Sequence, residues 1–370
     1  MWQMPTSMVA ATPVWIVVVL VVAAGVGALG FYAGYEYRGS PAAQTATVEN
    51  DTLSILGAGT LTSFFPTLAS DLAGEVPGIT APAAAQTYEG SLDVTSAITS
   101  LAARTDVAAV ADLRLVPSLL EPTYASYEVV FASTPEVLVY NASIPQFHGI
   151  NSTNWGTVLV NAITTPGVAK FAVWNASTDP NGYNEIFDMM LQGMLYGGGN
   201  ASVYSHFYEG TPGGYATPDP ATTLIEHESQ AATLLRTNVT SALITYRSYA
   251  IANGLSYVPL DPIVGLAAND STALADYAKL TTEIISSGTL TPVHPAPVLF
   301  AATVPLNAPN PELGAEFLHL LVSPQGSAVL AAGGAFTPIF PAWSDHPSDA
   351  PAILQPDLVA LPAWASSFVA

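Results

Sequence analysis

"TDVAAVADLRLVPSLLEPTYASYEVVFASTPEVLVY" runs from Thr105 to Tyr140. It holds three apolar runs of strand length: "TDVAAVAD", ending in Asp112, then "YEVVFAS" and "EVLVYN", parted only by Thr134 and Pro135. The first is apolar on both faces, as expected of a buried strand in an α/β sheet. The closely spaced pair is the candidate for a chain crossing between two lobes, and "PVLFAATVP" (Pro297 to Pro305) is the candidate for the return.

Outward from this stretch, strand and helix patterns alternate. Upstream, "LSILGAG" (Leu53 to Gly59) reads as a strand. A helix with Phe64, Phe65, Leu68 and Leu72 inward follows, capped by Thr60 or Thr62 and stopped at Pro77-Gly78. "EGSLDVTSAITSLAAR" (Glu89 to Arg104) is a second capped helix, with Ser91 near its start and Leu92, Ile98 and Leu101 on its apolar side. Downstream come strand "KFAVWNAS", helix "NEIFDMMLQGMLYG", helix "HESQAATLLRT", and strands "SALITYRS" and "GLSYVPL". Two helices fill Pro309 to Ala335. This alternation predicts an α/β fold with mostly parallel sheets. Ligands of such folds sit beyond the carboxyl ends of strands, where helix starts offer free N–H groups. Gly57 to Thr60, Gly90-Ser91 and the loop before Asn181 all fall at such junctions.

Composition narrows the function. Of 370 residues half are hydrophobic and 9% charged, and 28 acids against seven Lys plus Arg leave a net charge of -21. A nucleic-acid binder needs clustered bases, so that class is excluded. With no cysteine there is no disulfide, thiolate metal site or thiol nucleophile. "GAGT" has neither the Lys-Ser/Thr of a phosphate loop nor the rest of a dinucleotide fingerprint, and no G-x-S-x-G elbow occurs. The six histidines are scattered, and no nucleophile–base pair can be nominated, so no enzyme and no cofactor is expected. A weakly charged surface changes little on protonation, which suits an acidic habitat.

The run "VWIVVVLVVAAGVGALGFYAG", Val14 to Gly34, has 21 residues without a charge, against the ~20 that span a bilayer. Aromatic residues flank it as at membrane interfaces. Seven of the fourteen asparagines (50, 141, 151, 175, 200, 238 and 269) lie in N-x-Ser/Thr sequons, all after this run, which predicts an extracellular glycoprotein on a membrane tether. The expected organisation is a short segment (1–13), a transmembrane anchor (14–35), a polar tether (36–52), a first lobe from 53–130 and 296–370, and a second lobe from 131–295.

From Leu53 to about Pro341 the chain resembles the periplasmic-binding-protein-like receptors of archaeal tungstate/molybdate ABC importers. The matching stations come in order: "GAGTLTSFF", "EGSLDVTSAI", the opening stretch, "INSTNW", "STDPNGYNEIF", "ESQAATLL" and "ITYRSYAIANGLSYVPL". It departs from the family pattern with Thr60 where serine is usual and Gly57 where histidine is common. The resemblance implies a type II two-lobe receptor that captures tungstate or molybdate between its lobes and hands it to a permease with its ATPase. It implies Thr60, Ser91 and Tyr246 as oxyanion-binding residues. Two carboxylate ligands of the metal are implied as well: Asp179, in the Asp-Pro-x-Gly-Tyr motif, and Glu228, eighteen residues before Tyr246. Four oxo groups and two carboxylate oxygens would make a six-coordinate hexavalent metal, a shell that sulfur in sulfate cannot adopt. Helix capping is the competing role for Asp179, and a solvated helix position the one for Glu228. The rival functions are a receptor of the same fold for another anion or ferric iron, and a surface adhesion glycoprotein.

Overall fold

A computed structural model describes residues 51–369 apart from 287. The expected anchor at 14–35 lies outside the described residues, and no helix among those described is long and apolar enough to cross a membrane. In chain order the strands used below are β1 (Ile55–Ala58), β2 (Gln86–Glu89), β3 (Val107–Val110), β4 (Val129–Ser133), β5 (Glu136–Tyr140), β6 (Ala172–Trp174) and β7 (Thr223–Ile225). They continue with β8 (Ala242–Tyr246), β9 (Tyr257–Pro259), β10 (Thr282–Ser286), β11 (Thr289–Val293), β12 (Leu299–Thr303), β13 (Thr337–Ser344) and β14 (Leu358–Ala360). The helices are α1 (Phe65–Glu75), α2 (Ser91–Ser100), α3 (Trp155–Thr164), α4 (Pro180–Tyr196), α5 (Glu228–Arg236), α6 (Pro311–Val322) and α7 (Ala363–Val369).

One sheet has the order β14-β13-β4-β12-β3-β1-β2. A second is built on β8-β5-β9, with β7-β6 joined to it through a parallel bridge between Phe171 and Ala242. The chain leaves the first sheet along β4 and enters the second along β5 after only Thr134 and Pro135. It returns on β12 after the β10–β11 hairpin.

The expected mostly parallel sheets are mixed instead. β1, β2 and β3 are parallel, but β12 runs antiparallel to both β3 and β4, and β5 antiparallel to β8 and β9. The reason is connectivity. A strand that leads out of a sheet and another that leads back in from the same side must run in opposite directions, whereas helical crossovers keep neighbours parallel.

Local sequence explains the helices that matter. In α1, Phe65, Leu68, Ala69 and Leu72 are buried at helical spacing, and Pro66 sits in the first turn, where its missing N–H has no partner to lose. No side chain caps α1; Thr60 belongs instead to a short 3-10 turn, Gly59–Ser63, and its hydroxyl is used elsewhere. α2 buries Leu92 and Ile98 as expected, but the helix ends at Ser100 and Leu101 swings out to 78% exposure. α4 is buried from Pro180 through Gly193, the pattern of a helix packed on all sides. Its start is therefore rigidly placed. Aromatic rings bind the two sheets together where the chain crosses: Phe300 of β12 meets Tyr246 of β8 at 5.5 Å and Phe336 at 5.0 Å between centroids, both edge-on.

Candidate ligand-binding site

The strand directions bring six chain segments together. Thr60 follows β1, Ser91 follows β2 and Asp112 follows β3, all from parallel strands of the first sheet. Asp179 follows β6, Glu228 follows β7 and Tyr246 ends β8, again from strands that run parallel to one another. The two sets meet face to face. The Thr60 hydroxyl donates to Glu228 Oε1 at 2.7 Å, and the Leu92 N–H of α2 donates to the Thr178 carbonyl at 3.1 Å.

Two glycines permit that approach. A Cβ on Gly59 would lie 2.3 Å from Glu228 Oε2, and one on Gly90 would lie 2.2 Å from the Thr178 carbonyl oxygen. Gly90 has φ -61 and ψ 143, which any residue adopts, so its requirement is contact across the cleft rather than backbone shape.

Each expected site residue has a defined environment. Asp179 caps α4, with Oδ1 accepting from the Asn181 N–H at 2.9 Å. Among the described residues its Oδ2 has no partner, so capping leaves one oxygen free. Burial pushes the Asp179 acid up to about 6, with the Asp93 charge adding to the shift and the Asn181 N–H opposing it. Glu228 opens α5 and is half-buried rather than solvated. Its acid is held well above the ordinary range by burial first and the Asp179 charge next, against the Thr60 hydrogen bond. Ser91 is buried, and its Oγ accepts the Ala111 N–H at 2.9 Å, a bond that does not use the hydroxyl proton. Tyr246 is buried, and among the described residues its hydroxyl has no hydrogen-bond partner. Burial and the nearby Glu136, Asp179, Tyr183 and Glu228 push that phenol up.

Several residues of the neighbourhood escaped the sequence reading. The Arg114 guanidinium grips Asp112, with Nε 2.9 Å from Oδ1, and Tyr183 donates its hydroxyl to Asp112 Oδ2 at 2.6 Å. Arg114 is thereby neutralised, and among the described residues no Lys or Arg forms an ion pair with Asp179 or Glu228. Beside the constellation, Leu92, Asp112, Arg114 and Tyr183 line one wall of a cavity of about 760 Å³ that the β10–β11 hairpin and α7 complete. Glu136, Glu185 and Asp188 are fully buried, and burial raises all three acids. Charged letters inside apolar runs read as solvated positions in a sequence. The all-round burial of α4 reveals Glu185 and Asp188 as interior, and the buried start of β5 does the same for Glu136. The one available signal was the position of Asp112 and Tyr183 at a strand end and inside the Asp-Pro-x-Gly-Tyr motif.

The chain belongs to the bacterial extracellular solute-binding protein family, whose model matches residues 53–335. It is 28% identical over 306 residues to an uncharacterized solute-binding protein of Methanoculleus marisnigri, covering 78% of this chain and 82% of that one. To the molybdate/tungstate-binding protein WtpA of Pyrococcus abyssi it is 25% identical over 254 residues, 65% of this chain and 70% of the other. Among solved structures, the periplasmic molybdate-binding protein of Azotobacter vinelandii superposes with a TM-score of 0.51 at 14% identity, over 76% of this chain and 97% of that one. The fold is thus the α/β periplasmic-binding-protein-like fold. Proteins of this family are solute-binding receptors for ABC transport, and they bind without catalysing a reaction.

Proposed function

We propose that the cleft takes tungstate or molybdate, with Asp179 and Glu228 as ligands of the metal and Thr60, Ser91 and Tyr246 holding its oxo groups. The observation that carries this reading is the meeting of two carboxyl groups, both from segment 131–295, with the hydroxyl groups of Thr60 and Ser91 from the other sheet, and no Lys or Arg paired to either acid. A sulfate or phosphate site would set N–H groups and cations against the anion, and bare acids would repel it. For a hexavalent, oxygen-seeking metal centre the same acids are additional donors. Two curated relatives named molybdate/tungstate-binding, at 25% and 24% identity, support the choice.

The lobes 53–130 with 296–370 and 131–295 would close by a hinge at the two crossings. On binding, the anion displaces the direct Thr60–Glu228 hydrogen bond and fills the space between their chains. The transmembrane anchor 14–35 and the polar tether 36–52 would hold the receptor outside the cell, beside a permease whose ATPase is inside. Protease treatment of intact cells tests that placement, since an extracellular receptor is degraded and an internal one survives.

A second reading rests on the raised acids. Protonated Asp179 and Glu228 would donate hydrogen bonds to any tetrahedral oxyanion instead of ligating a metal. Calorimetric titration with tungstate, molybdate, sulfate and phosphate separates the two. Tight binding of the first two alone supports the proposal. Comparable binding of sulfate or phosphate supports protonated donors, and heat from none of the four overturns both.

A further inference from the structure

Far along the chain from the cleft residues, three acids and a histidine gather where β13 runs past the start of β4. The antiparallel ladder pairs Trp343 with Val130, and just beyond that pair the Asp345 side chain reaches the Glu128 backbone. Asp345 is pinned by its own Oδ1, which accepts the Glu128 N–H at 3.0 Å and the His346 N–H at 2.8 Å. Its other oxygen lies 4.0 Å from His346 Nε2, and Glu121 Oε2 lies 3.8 Å from the same nitrogen. One donor atom from each of Glu121, Asp345 and His346 falls within 4.8 Å of the others.

Two further facts distinguish this group from an ordinary acidic surface. Glu128 is fully buried, and neither of its carboxyl oxygens has a partner among the described residues. Glu121 Oε1 is likewise buried and unpartnered. A buried oxygen left without a partner is destabilising. Among the described residues, no Lys or Arg lies within ion-pair reach of Glu121 or Asp345, and the His346 imidazole is their nearest basic neighbour. A cavity of about 500 Å³, lined in part by Pro117, Glu121, Asp345, His346 and Leu361, opens onto the cluster.

The geometry points to a divalent-cation site formed by Glu121, Asp345 and His346 with Glu128 behind them, suited to Zn²⁺ or Mn²⁺. Ligands ~2.1 Å from a common tetrahedral ion lie ~3.4 Å apart, so the 3.8 and 4.0 Å spacings to His346 Nε2 need to contract by about half an ångström. An imidazole nitrogen beside two or three carboxylates matches borderline transition metals better than Mg²⁺ or Ca²⁺, which favour six or more oxygens. The ion would tie the Glu121 turn to β13, independently of the cleft.

The test is calorimetry and thermal unfolding of the full chain, free of any affinity tag and stripped with EDTA, against ZnCl₂, MnCl₂, MgCl₂ and CaCl₂. The expected result is one equivalent of Zn²⁺ or Mn²⁺ with a rise in Tm. His346→Ala and Glu121→Gln are each expected to weaken that binding at least tenfold, leaving anion binding in the cleft unchanged. His346 is exposed, so its replacement leaves the fold intact and gives a reading even where a Glu128 variant does not fold. Zinc affinity unchanged in His346→Ala would overturn the site, as would no uptake of either transition metal at millimolar concentration or tighter binding of Ca²⁺ or Mg²⁺.

Discussion

The Thr60 hydroxyl and the Glu228 carboxylate, 168 residues apart in the chain, are joined by a 2.7 Å hydrogen bond. It links the end of the first strand of one sheet to a helix start that follows a strand of the other. Asp179 sits close enough that its charge raises the Glu228 acid. On the proposed reading this is where the anion enters.

Removing either acid should weaken tungstate binding far more than it weakens folding. Asp179→Asn keeps a capping side chain for α4, since asparagine caps as well as aspartate, and loses the metal ligand. Tungstate affinity is expected to fall at least about a hundredfold, close to 2.7 kcal/mol, for Asp179→Asn and for Glu228→Gln. Unfolding midpoints of the ligand-free protein at neutral pH should hold or rise, because the amides remove buried charge. Calorimetry beside thermal melts checks both, and equal affinity in wild type and the double variant contradicts the ligand roles.

Closure depends on two missing side chains. Gly90→Ala places a methyl 2.2 Å from the Thr178 carbonyl oxygen, a backbone atom that cannot swing aside. The open receptor should fold normally while anion affinity drops at least tenfold. Small-angle scattering should then show no compaction on adding ligand. Wild-type affinity in this variant would mean the lobes do not need that contact.

Tyr246→Phe removes a buried hydroxyl that satisfies nothing among the described residues. Deleting an unpartnered polar group costs little, so the melting temperature of the ligand-free protein should hold or rise slightly. Anion affinity should fall by about tenfold, the worth of one hydrogen bond to a charged group. A loss of stability without a loss of affinity would assign the hydroxyl to packing alone.

Acid should stabilise the ligand-free receptor. Burial raises Asp179 to about 6, so between its ordinary value near 4 and 6 the folded state binds the proton that the unfolded chain releases. That stabilisation is complete below about pH 4 and is lost as pH rises through 6, by roughly 3 kcal/mol at most for this one group. Glu136, Glu185, Asp188 and Glu228 shift in the same direction. Melting temperatures measured from pH 3 to 8 should therefore be highest at the acid end. A sharp loss of folding between pH 5 and 3 would contradict this and the acidic habitat together.

Much of the fold was legible because strand and helix periods alternate cleanly and the crossing segments are short, apolar and proline-marked. Strand direction was not legible. β12 is a buried, largely apolar run as β3 is, and only its arrival from the second sheet makes it antiparallel. At the site, the order of motifs marked Thr60, Ser91, Asp179, Glu228 and Tyr246, and the strand ends do bring them into one neighbourhood. The Arg114–Asp112–Tyr183 linkage, the orphan hydroxyl of Tyr246 and the buried acids of α4 depend on side-chain directions across distant segments. No local pattern encodes those. The same holds for Glu128 and Asp345, more than two hundred residues apart and joined only where β13 runs past β4.

X-ray absorption at the tungsten L3 edge of the tungstate-loaded receptor tests the central claim most directly, because it counts the oxygens around the metal. The account predicts six, four short oxo bonds and two longer ones, with the longer pair lost in the Asp179→Asn, Glu228→Gln double variant. A regular four-oxygen shell, unchanged from free tungstate, would mean that the two carboxyl groups do not touch the metal.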